Sequence, residues 1–434
     1  MSFLEELRWR GLLHQQTATD ELDLHLAEPR VAYAGFDPTS DSLHVGNLIP
    51  IKLLMHWQAA GHRPIALMGG GTGLIGDPSG RDSERQLLSR DKVEANIASQ
   101  RRILERLLDF DDSSRGARLV NNLDWLDELG FIEVLRDVGK HFSVNTMIQK
   151  DSVHDRLHAR EQGISYTEFS YMILQAYDFL HLRRTMDCTV QLAGSDQYGN
   201  IVAGIDLIRR EFGGHEGGHP ESFGVTAPLV GRSDGKKMSK SSGQALWLSS
   251  NTQDATSPYA FYQYWINLPD ADIVPWLRWF SLLDRERIDE LARSREAEPQ
   301  RRIAQTELAR HMTTMVHGED EFKRVERATI ALFGSGDLRD LDESTLAEVF
   351  ADVPHSTHDK SQMAGDGVLL ADVLTSTSLA SSKRAAREYL DSGAIAVNGE
   401  KCPADRRLYT RDLLPGATIL LRRGRKNWHA TKWE

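Results

Sequence analysis

The sequence predicts an α/β domain on a mostly parallel sheet, followed by a helical domain and a small α+β unit. Short apolar, β-branched runs alternate with longer amphipathic stretches through the first half, strand signals cease after Ser257, and the charge changes sign near the C-terminus. At 434 residues, 40% hydrophobic and 26% charged, the chain suits a multi-domain globular protein. Disordered, collagen-like and disulfide-stapled classes are excluded.

Taken in order, Val31 to Gly35 reads as a strand, Gly46 to Ala60 as a helix closed by Gly61, and Pro64 to Met68 as a second strand. Tyr166 to Leu182 follows helical period. Cys188 to Ala193 is expected as a strand, Gln197 to Glu211 as a helix, and Thr226 to Val230 as a further strand. Helical segments such as Ile303 to Val316 mark the second domain. Residues 337 to 366 carry eight Asp/Glu against two Lys/Arg and read as an exposed acidic linker. Beyond it, Ser381 and Ser382 are candidate caps for a helix stopped near Gly393, and Ala394 to Val397 is a strand turned by Asn398-Gly399. The expected boundaries are 1–250, 251–336, 337–366 and 367–434.

The formal charge of −11 argues on its face against a nucleic-acid partner. Its distribution argues otherwise. From Ser381 to Glu434 there are 12 Lys+Arg and 6 Asp+Glu, a net of +6 on a body of −17. A basic terminus of this kind suggests contact with nucleic-acid phosphates. Two cysteines far apart, Cys188 and Cys402, leave no disulfide framework or Cys-rich zinc site, and the N-terminal MSFLEELRWR lacks the apolar core of a secretory signal. A cytoplasmic protein is expected.

Two motifs are set aside. His215, Glu216 and His219 spell a zinc-helix signature, yet Gly213, Gly214, Gly217, Gly218 and Pro220 oppose a helix there. Gly71, Gly73 and Gly76 spell a dinucleotide fingerprint, but Asp77 to Gly80 reads as a turn where the phosphate-binding helix should begin.

Chemistry concentrates in two other segments. His44-Val45-Gly46-Asn47 sits at the start of an amphipathic helix, where free N–H groups and the positive dipole end favour an anion, and Gly46 leaves room for a ligand. Helix capping is the plainer role for a lone histidine. Far downstream, Gly235 to Ser241 is a polar loop carrying Lys236, Lys237 and Lys240; alone, it would pass for a solvated basic loop. Together the two supply an anion seat and cations to close on a polyphosphate.

The first segment resembles the HIGH signature of class I aminoacyl-tRNA synthetases, and Lys237-Met238-Ser239-Lys240-Ser241 matches their KMSKS signature. Tyr33 to Thr39, Gly76 to Gly80, Tyr166 to Phe179 and Gln191 to Gln197 look like bacterial tyrosyl-tRNA synthetases, and the unit from about Gly367 resembles an RNA-binding module shared with a ribosomal small-subunit protein. The likeness covers essentially the whole chain. It implies a Rossmann-like nucleotide-binding domain, an anticodon-recognising helical domain, a homodimer bridged by tRNA, and tyrosine, ATP and tRNA as substrates. Mg2+ would come with ATP, with no tightly bound cofactor or protein-held metal. Asn47 departs from the signature, which usually ends in histidine; its amide donates a hydrogen bond but cannot become cationic.

Tyr171, Gln175 and Asp178, spaced four and three apart, share one face of their helix among apolar neighbours, so a polar row there needs partners. The resemblance implies that Tyr33 and Asp178 bond the substrate phenol, that Tyr171, Gln175 and Asp77 hold its ammonium group, and that Gln191 and Gln197 complete the pocket. It places ATP and adenylate contacts at Gly35, Asp37, Gly46, Asn47, Gly194, Asp196 and Lys240. Catalysis would fall to Thr39, His44, Lys237 and Lys240, acting electrostatically while the tyrosine carboxylate attacks the α-phosphorus. Two rival readings stand beside this one: a related synthetase for tryptophan, whose indole offers only one donor, and a non-catalytic RNA-binding protein on a synthetase scaffold.

Overall fold

A computed structural model describes residues 2–77, 87–149, 153, 164–212, 222–229, 231, 245–333, 336–351, 353–424 and 427–434. The expected roles of Lys237 and Lys240, the rejected His215–His219 motif, the turn residues 78–80 and the basic pair Arg425 and Lys426 lie outside the described residues. The chain divides into two compact units, one of residues 1–256 and 264–317, the other of 257–263 and 318–434.

The first unit is organised by a six-stranded sheet. In chain order its strands are β1 (Gln15–Gln16), β2 (Val31–Phe36), β3 (Arg63–Met68), β4 (Arg118–Asn121), β5 (Cys188–Gly194) and β6 (Phe223–Ala227). Their spatial order is β1-β6-β5-β2-β3-β4. All neighbours are parallel except β1, which pairs antiparallel with β6. The apolar run Pro64–Met68 of β3 and the near-continuous burial of β5 reflect a parallel sheet covered by helices on both faces. The strand expected at Thr226 to Val230 forms earlier, because Pro228 brings no N–H to the ladder and β6 ends at Ala227. Because β2 lies between β3 and β5, the strand order reverses beside it. A crevice therefore opens beyond the C-terminal ends of β2 and β5, where open α/β sheets bind ligands.

The helix expected at Gly46 begins as a short 3-10 turn, Val45–Asn47, and continues as Leu48–Ala59. A longer helix, Tyr166–Met186, starts at Ser165, whose hydroxyl accepts from Glu168 N at 3.3 Å, and ends where Asp187 adopts φ 51°. Together with Tyr198–Glu211 it covers the sheet, burying Phe179, Leu182, Leu207 and Ile208 against Tyr33, Ile65 and Cys188. Gly71 and Gly76 flank one turn of helix, Thr72–Ile75, which contains Gly73 and is ended by Gly76 at φ 89°. Helices Ile273–Phe280, Arg285–Ala297 and Ile303–His317 belong to the same unit.

The second unit holds a five-stranded sheet of β7 (His355–His358), β9 (Ile395–Val397), β10 (Glu400–Lys401), β12 (Thr418–Arg423) and β13 (Asn427–Trp433), in the order β10-β9-β12-β13-β7. A two-stranded ribbon, β8 (Val368–Leu369) with β11 (Arg407–Leu408), sits in the same unit. The helix Lys383–Asp391 is capped by Ser382, whose hydroxyl accepts from Ala385 N at 3.2 Å. Residues 337–366, acidic in composition, form the helix Glu343–Phe350 and strand β7, with Leu338, Leu346 and Val349 buried.

Candidate active site

The crevice beyond β2 and β5 is a cavity of about 830 Å³. Its lining includes, from β2 and the loop after it, Tyr33, Gly35, Asp37, Thr39, His44, Gly46 and Asn47; from beyond β3, Asp77; from the Tyr166–Met186 helix, Tyr171, Gln175 and Asp178; and from β5 onward, Gln191, Gly194, Asp196 and Gln197. All the expected site residues within the described chain thus meet in one place. Helical period and strand ends explain how: residues 171, 175 and 178 face one way, and parallel strands deliver their following loops to the same edge.

The deep end is built around Asp178, which is 1% exposed. Its carboxylate accepts from Trp125 Nε1 at 2.8 Å and Asn122 Nδ2 at 2.9 Å. Asn122 is itself fixed, accepting from Gly71 N at 2.7 Å and donating to Thr72 Oγ1 at 3.0 Å. Burial pushes the Asp178 carboxyl up to about 7, although both hydrogen bonds favour its charged form; the Asp37 charge adds to the rise. Nearby, the Tyr33 hydroxyl is fully buried with no hydrogen-bond partner among the described residues, as is Gln191 Oε1, which projects from the position paired with Tyr33 across β2 and β5. Burial, and after it the Asp178 charge, drives the Tyr33 phenol well above its ordinary range. A buried hydroxyl left unpaired costs about 1–3 kcal/mol, so this end of the cavity is prepared for a polar ligand group.

A chain of side chains lines the middle. Tyr171 donates to Asp37 Oδ2 at 2.9 Å, and Thr72 Oγ1 donates to Asp37 Oδ1 at 2.8 Å. Asp37, expected among nucleotide contacts, therefore sits against Tyr171. Asn200 Nδ2 donates to Gln175 Oε1 at 2.9 Å, Gln175 Nε2 to Gln197 Oε1 at 3.2 Å, and Gln197 Nε2 to Asp77 Oδ2 at 2.9 Å. Burial pushes the Tyr171 phenol up, with Asp37 and Asp77 contributing next. Carboxylates of Asp37 and Asp77 make this region favourable for a cationic group.

At the mouth, His44 caps the 3-10 turn, and its Nδ1 accepts from Gly46 N at 3.0 Å. That bond leaves Nε2 as the protonated nitrogen, a donor on an exposed ring. A Cβ on Gly46 would lie 2.8 Å from the His44 ring, so the room expected for a ligand is taken by the imidazole. Asn47 completes the cap: its Oδ1 accepts from His44 N at 3.0 Å, leaving the amide nitrogen as donor. Gly194 makes similar room for Asp196, whose Oδ1 lies 2.6 Å from where a Cβ would be. Asn122, Trp125 and Thr72 are neighbours of the site that sequence reasoning missed; their partners lie 50 to 56 residues away along the chain, and no periodicity links them.

A family model described as "tRNA synthetases class I (W and Y)" matches residues 26–334, and one described as "Tyrosine--tRNA ligase SYY-like C-terminal domain" matches 345–431. The chain is 47% identical over 430 residues to a "Tyrosine--tRNA ligase" of Roseiflexus castenholzii, covering 99% of this chain and 98% of that one. It is 46% identical over 435 residues to one of Geobacillus kaustophilus, covering both chains completely. Among solved structures, a C-terminally truncated mitochondrial tyrosyl-tRNA synthetase of Aspergillus nidulans matches with TM-score 0.68 and 30% identity, over 76% of this chain and 94% of that one.

Proposed function

The chain belongs to the tyrosine–tRNA ligases, within the class I aminoacyl-tRNA synthetases, and on that premise we propose how its cavity divides the reaction. Tyrosine enters with its phenol at the deep end. The hydroxyl donates to the Asp178 carboxylate and accepts from Tyr33, whose buried hydroxyl, without a partner among the described residues, is the observation that carries this assignment. Tyr171, Gln175 and Asp77, the last held by Gln197, take the α-ammonium group, and Gln191 closes the pocket. Indole has no acceptor for the Tyr33 hydroxyl, which favours tyrosine over tryptophan at this site.

ATP lies toward the mouth, with phosphates at Thr39, His44 and Asn47, Gly46 shaping the turn that carries them, and the ribose at Gly194 and Asp196; Gly35 and Asp37 border the adenylate. The tyrosine carboxylate attacks the α-phosphorus, forming the new C–O–P link as the bond to pyrophosphate breaks. Ionised at pH 7, it needs no general base. His44 Nε2–H and the Thr39 hydroxyl donate to phosphate oxygens, and Lys237 and Lys240 meet the charge that develops on pyrophosphate. Each well-placed donor is worth about 3–4 kcal/mol. Mg2+ would accompany ATP as substrate and would offset phosphate charge, as a hard cation suits oxygen ligands. The 3′-terminal adenosine of tRNA then attacks the acyl carbon and AMP leaves.

Pyrophosphate exchange run with each amino acid in turn tests the reading, with tyrosine expected to dominate and preference for tryptophan to overturn it. Lys240→Ala is expected to slow single-turnover adenylate formation about 10²–10³-fold while tyrosine affinity holds. An unchanged rate removes Lys240 from the assignment.

The second unit, with its basic terminus, is the surface proposed to hold tRNA. A homodimer is proposed through the exposed apolar residues Phe131, Ile132, Leu135, Val144 and Tyr166, of which Phe131 and Ile132 are 67% and 70% exposed. Light scattering should show a dimer that Ile132→Asp weakens; a wild-type monomer overturns this. No helix among the described residues is long and apolar enough to cross a membrane. The cytoplasm, where ATP and tRNA are available, is the compartment proposed.

A further inference from the structure

The loop from Asp37 to His44 carries both Thr39 and His44, and it is gripped from two sides. On one side stands the helix Arg90–Leu107: Asn96 Nδ2 donates to Pro38 O at 2.8 Å and Gln100 Nε2 to Ser40 O at 2.9 Å. Both side chains are essentially fully buried, at 0% and 1% exposure. On the other side, residues 246–254 run alongside. Val45 N donates to Leu246 O and Leu248 N to Leu43 O, each at 2.8 Å, and Ser249 N donates to Ser42 Oγ at 3.0 Å.

At the end of that second segment two carboxylates exchange grips. Asp41 accepts Gln253 N–H on Oδ2 and Asp254 N–H on Oδ1, both at 3.1 Å. Asp254 in turn accepts the Ser40 hydroxyl on Oδ2 at 2.7 Å. Asp41 thus holds the turn that presents Asp254, and Asp254 holds the residue adjacent to Thr39. Asp254 also lines the cavity, as do Thr39 and His44.

We infer that Asp41 and Asp254 are positioning residues for adenylate formation, a reciprocal clasp that fixes the Thr39–His44 loop at the distance the phosphates require. The inference rests on the placement of the ATP phosphates proposed above. Carboxylates beside a polyphosphate oppose its charge, so plain electrostatics disfavours them at this mouth. Their value lies in geometry. Paired oxygens on Asp41 meet two consecutive backbone N–H groups, and a displacement of about 1 Å in a catalytic donor costs on the order of 10²-fold in rate.

The two positions differ in what they tolerate. Asp254 uses one oxygen as acceptor for Ser40, a role an asparagine carbonyl fills. Asp41 uses both oxygens, and asparagine would turn a donor toward one of the two N–H groups. In the full-length protein, Asp254→Ala is expected to slow single-turnover adenylate formation about 10- to 100-fold at saturating tyrosine, with the tyrosine dissociation constant within about twofold of wild type. Asp254→Asn should recover most of the rate, and Asp41→Asn should not. A wild-type rate in Asp254→Ala, equal losses of rate and tyrosine affinity, or an Asp254→Asn variant as slow as Asp254→Ala each overturns the inference. Thr39→Ala and His44→Ala, measured in parallel, separate it from its premise: wild-type rates in both overturn the phosphate placement, whereas slow rates there beside a fast Asp254→Ala overturn the clasp alone.

Discussion

On the proposed placement of tyrosine, Asp178 concentrates the chemistry of specificity in one carboxyl group. With its pKa near 7 in the free protein, it is partly protonated at neutral pH, and a phenol donor needs its ionised form. Tyrosine affinity should therefore weaken about tenfold per pH unit below 7 and level off above it. Asp178→Asn should flatten that profile, and an equilibrium titration between pH 5.5 and 8.5 that is already flat in wild type would refute the pairing. Trp125→Phe removes a donor from the ionised carboxylate without touching the ligand. Because a hydrogen bond to a charged group is worth about 1.5–3 kcal/mol, the variant should bind tyrosine more weakly at pH 7 by up to that amount, with the pH profile displaced upward. Tyrosine binding equal to wild type would show that Trp125 does not tune Asp178. At this scale the sequence was only half legible. The row of Tyr171, Gln175 and Asp178 follows from helical period, but Asn122 and Trp125, which donate to the Asp178 carboxylate, are brought in by tertiary packing alone.

Among the elements, the pairing of β7 with β13 carries its own pH dependence. Ser378 N donates to His429 Nδ1 at 3.2 Å, which assigns the ring proton to Nε2, 3.0 Å from Ser356 Oγ; the Ser356 hydroxyl then donates to His358 Nε2 at 2.8 Å. Burial lowers the pKa of both histidines, and His355 and His358 add repulsion at His429. The folded state thus keeps them neutral. As pH falls below the ordinary histidine value of about 6.5, the unfolded chain binds protons that the folded chain resists, and stability declines toward the lowered pKa. Hydrogen exchange in the full-length protein, corrected for the intrinsic effect of pH, should show β7 and β13 less protected at pH 5 than at pH 7, and His429→Gln should reduce the difference. Equal protection at both values in wild type would contradict the mechanism. Elements differed in how plainly they could be read. The helix capped by Ser382 follows from local chemistry, whereas in residues 337–366 the dense Asp and Glu masked Leu338, Leu346 and Val349, which pack against Ala328 and Leu420.

Over the whole molecule, the separation of charge sets how the two reaction steps respond to salt. On the placement proposed above, tyrosine and ATP meet within the crevice whereas tRNA meets a surface, and each phosphate it places on a basic side chain releases counterions. Raising salt from about 50 to 200 mM should weaken tRNA charging by an order of magnitude or more while pyrophosphate exchange changes little. Parallel assays check this, and an equal loss in both would place the salt effect in the cavity. The antiparallel strand at the sheet's edge has a different consequence, one of timing. Gln15 pairs with Thr226, 211 residues further along the chain. At a synthesis rate of about 5–20 residues per second, β1 leaves the ribosome on the order of 10–40 s before its partner exists. The strand made first is therefore among the last to be seated, and the sheet of this translation enzyme closes only once more than half of the chain has been translated.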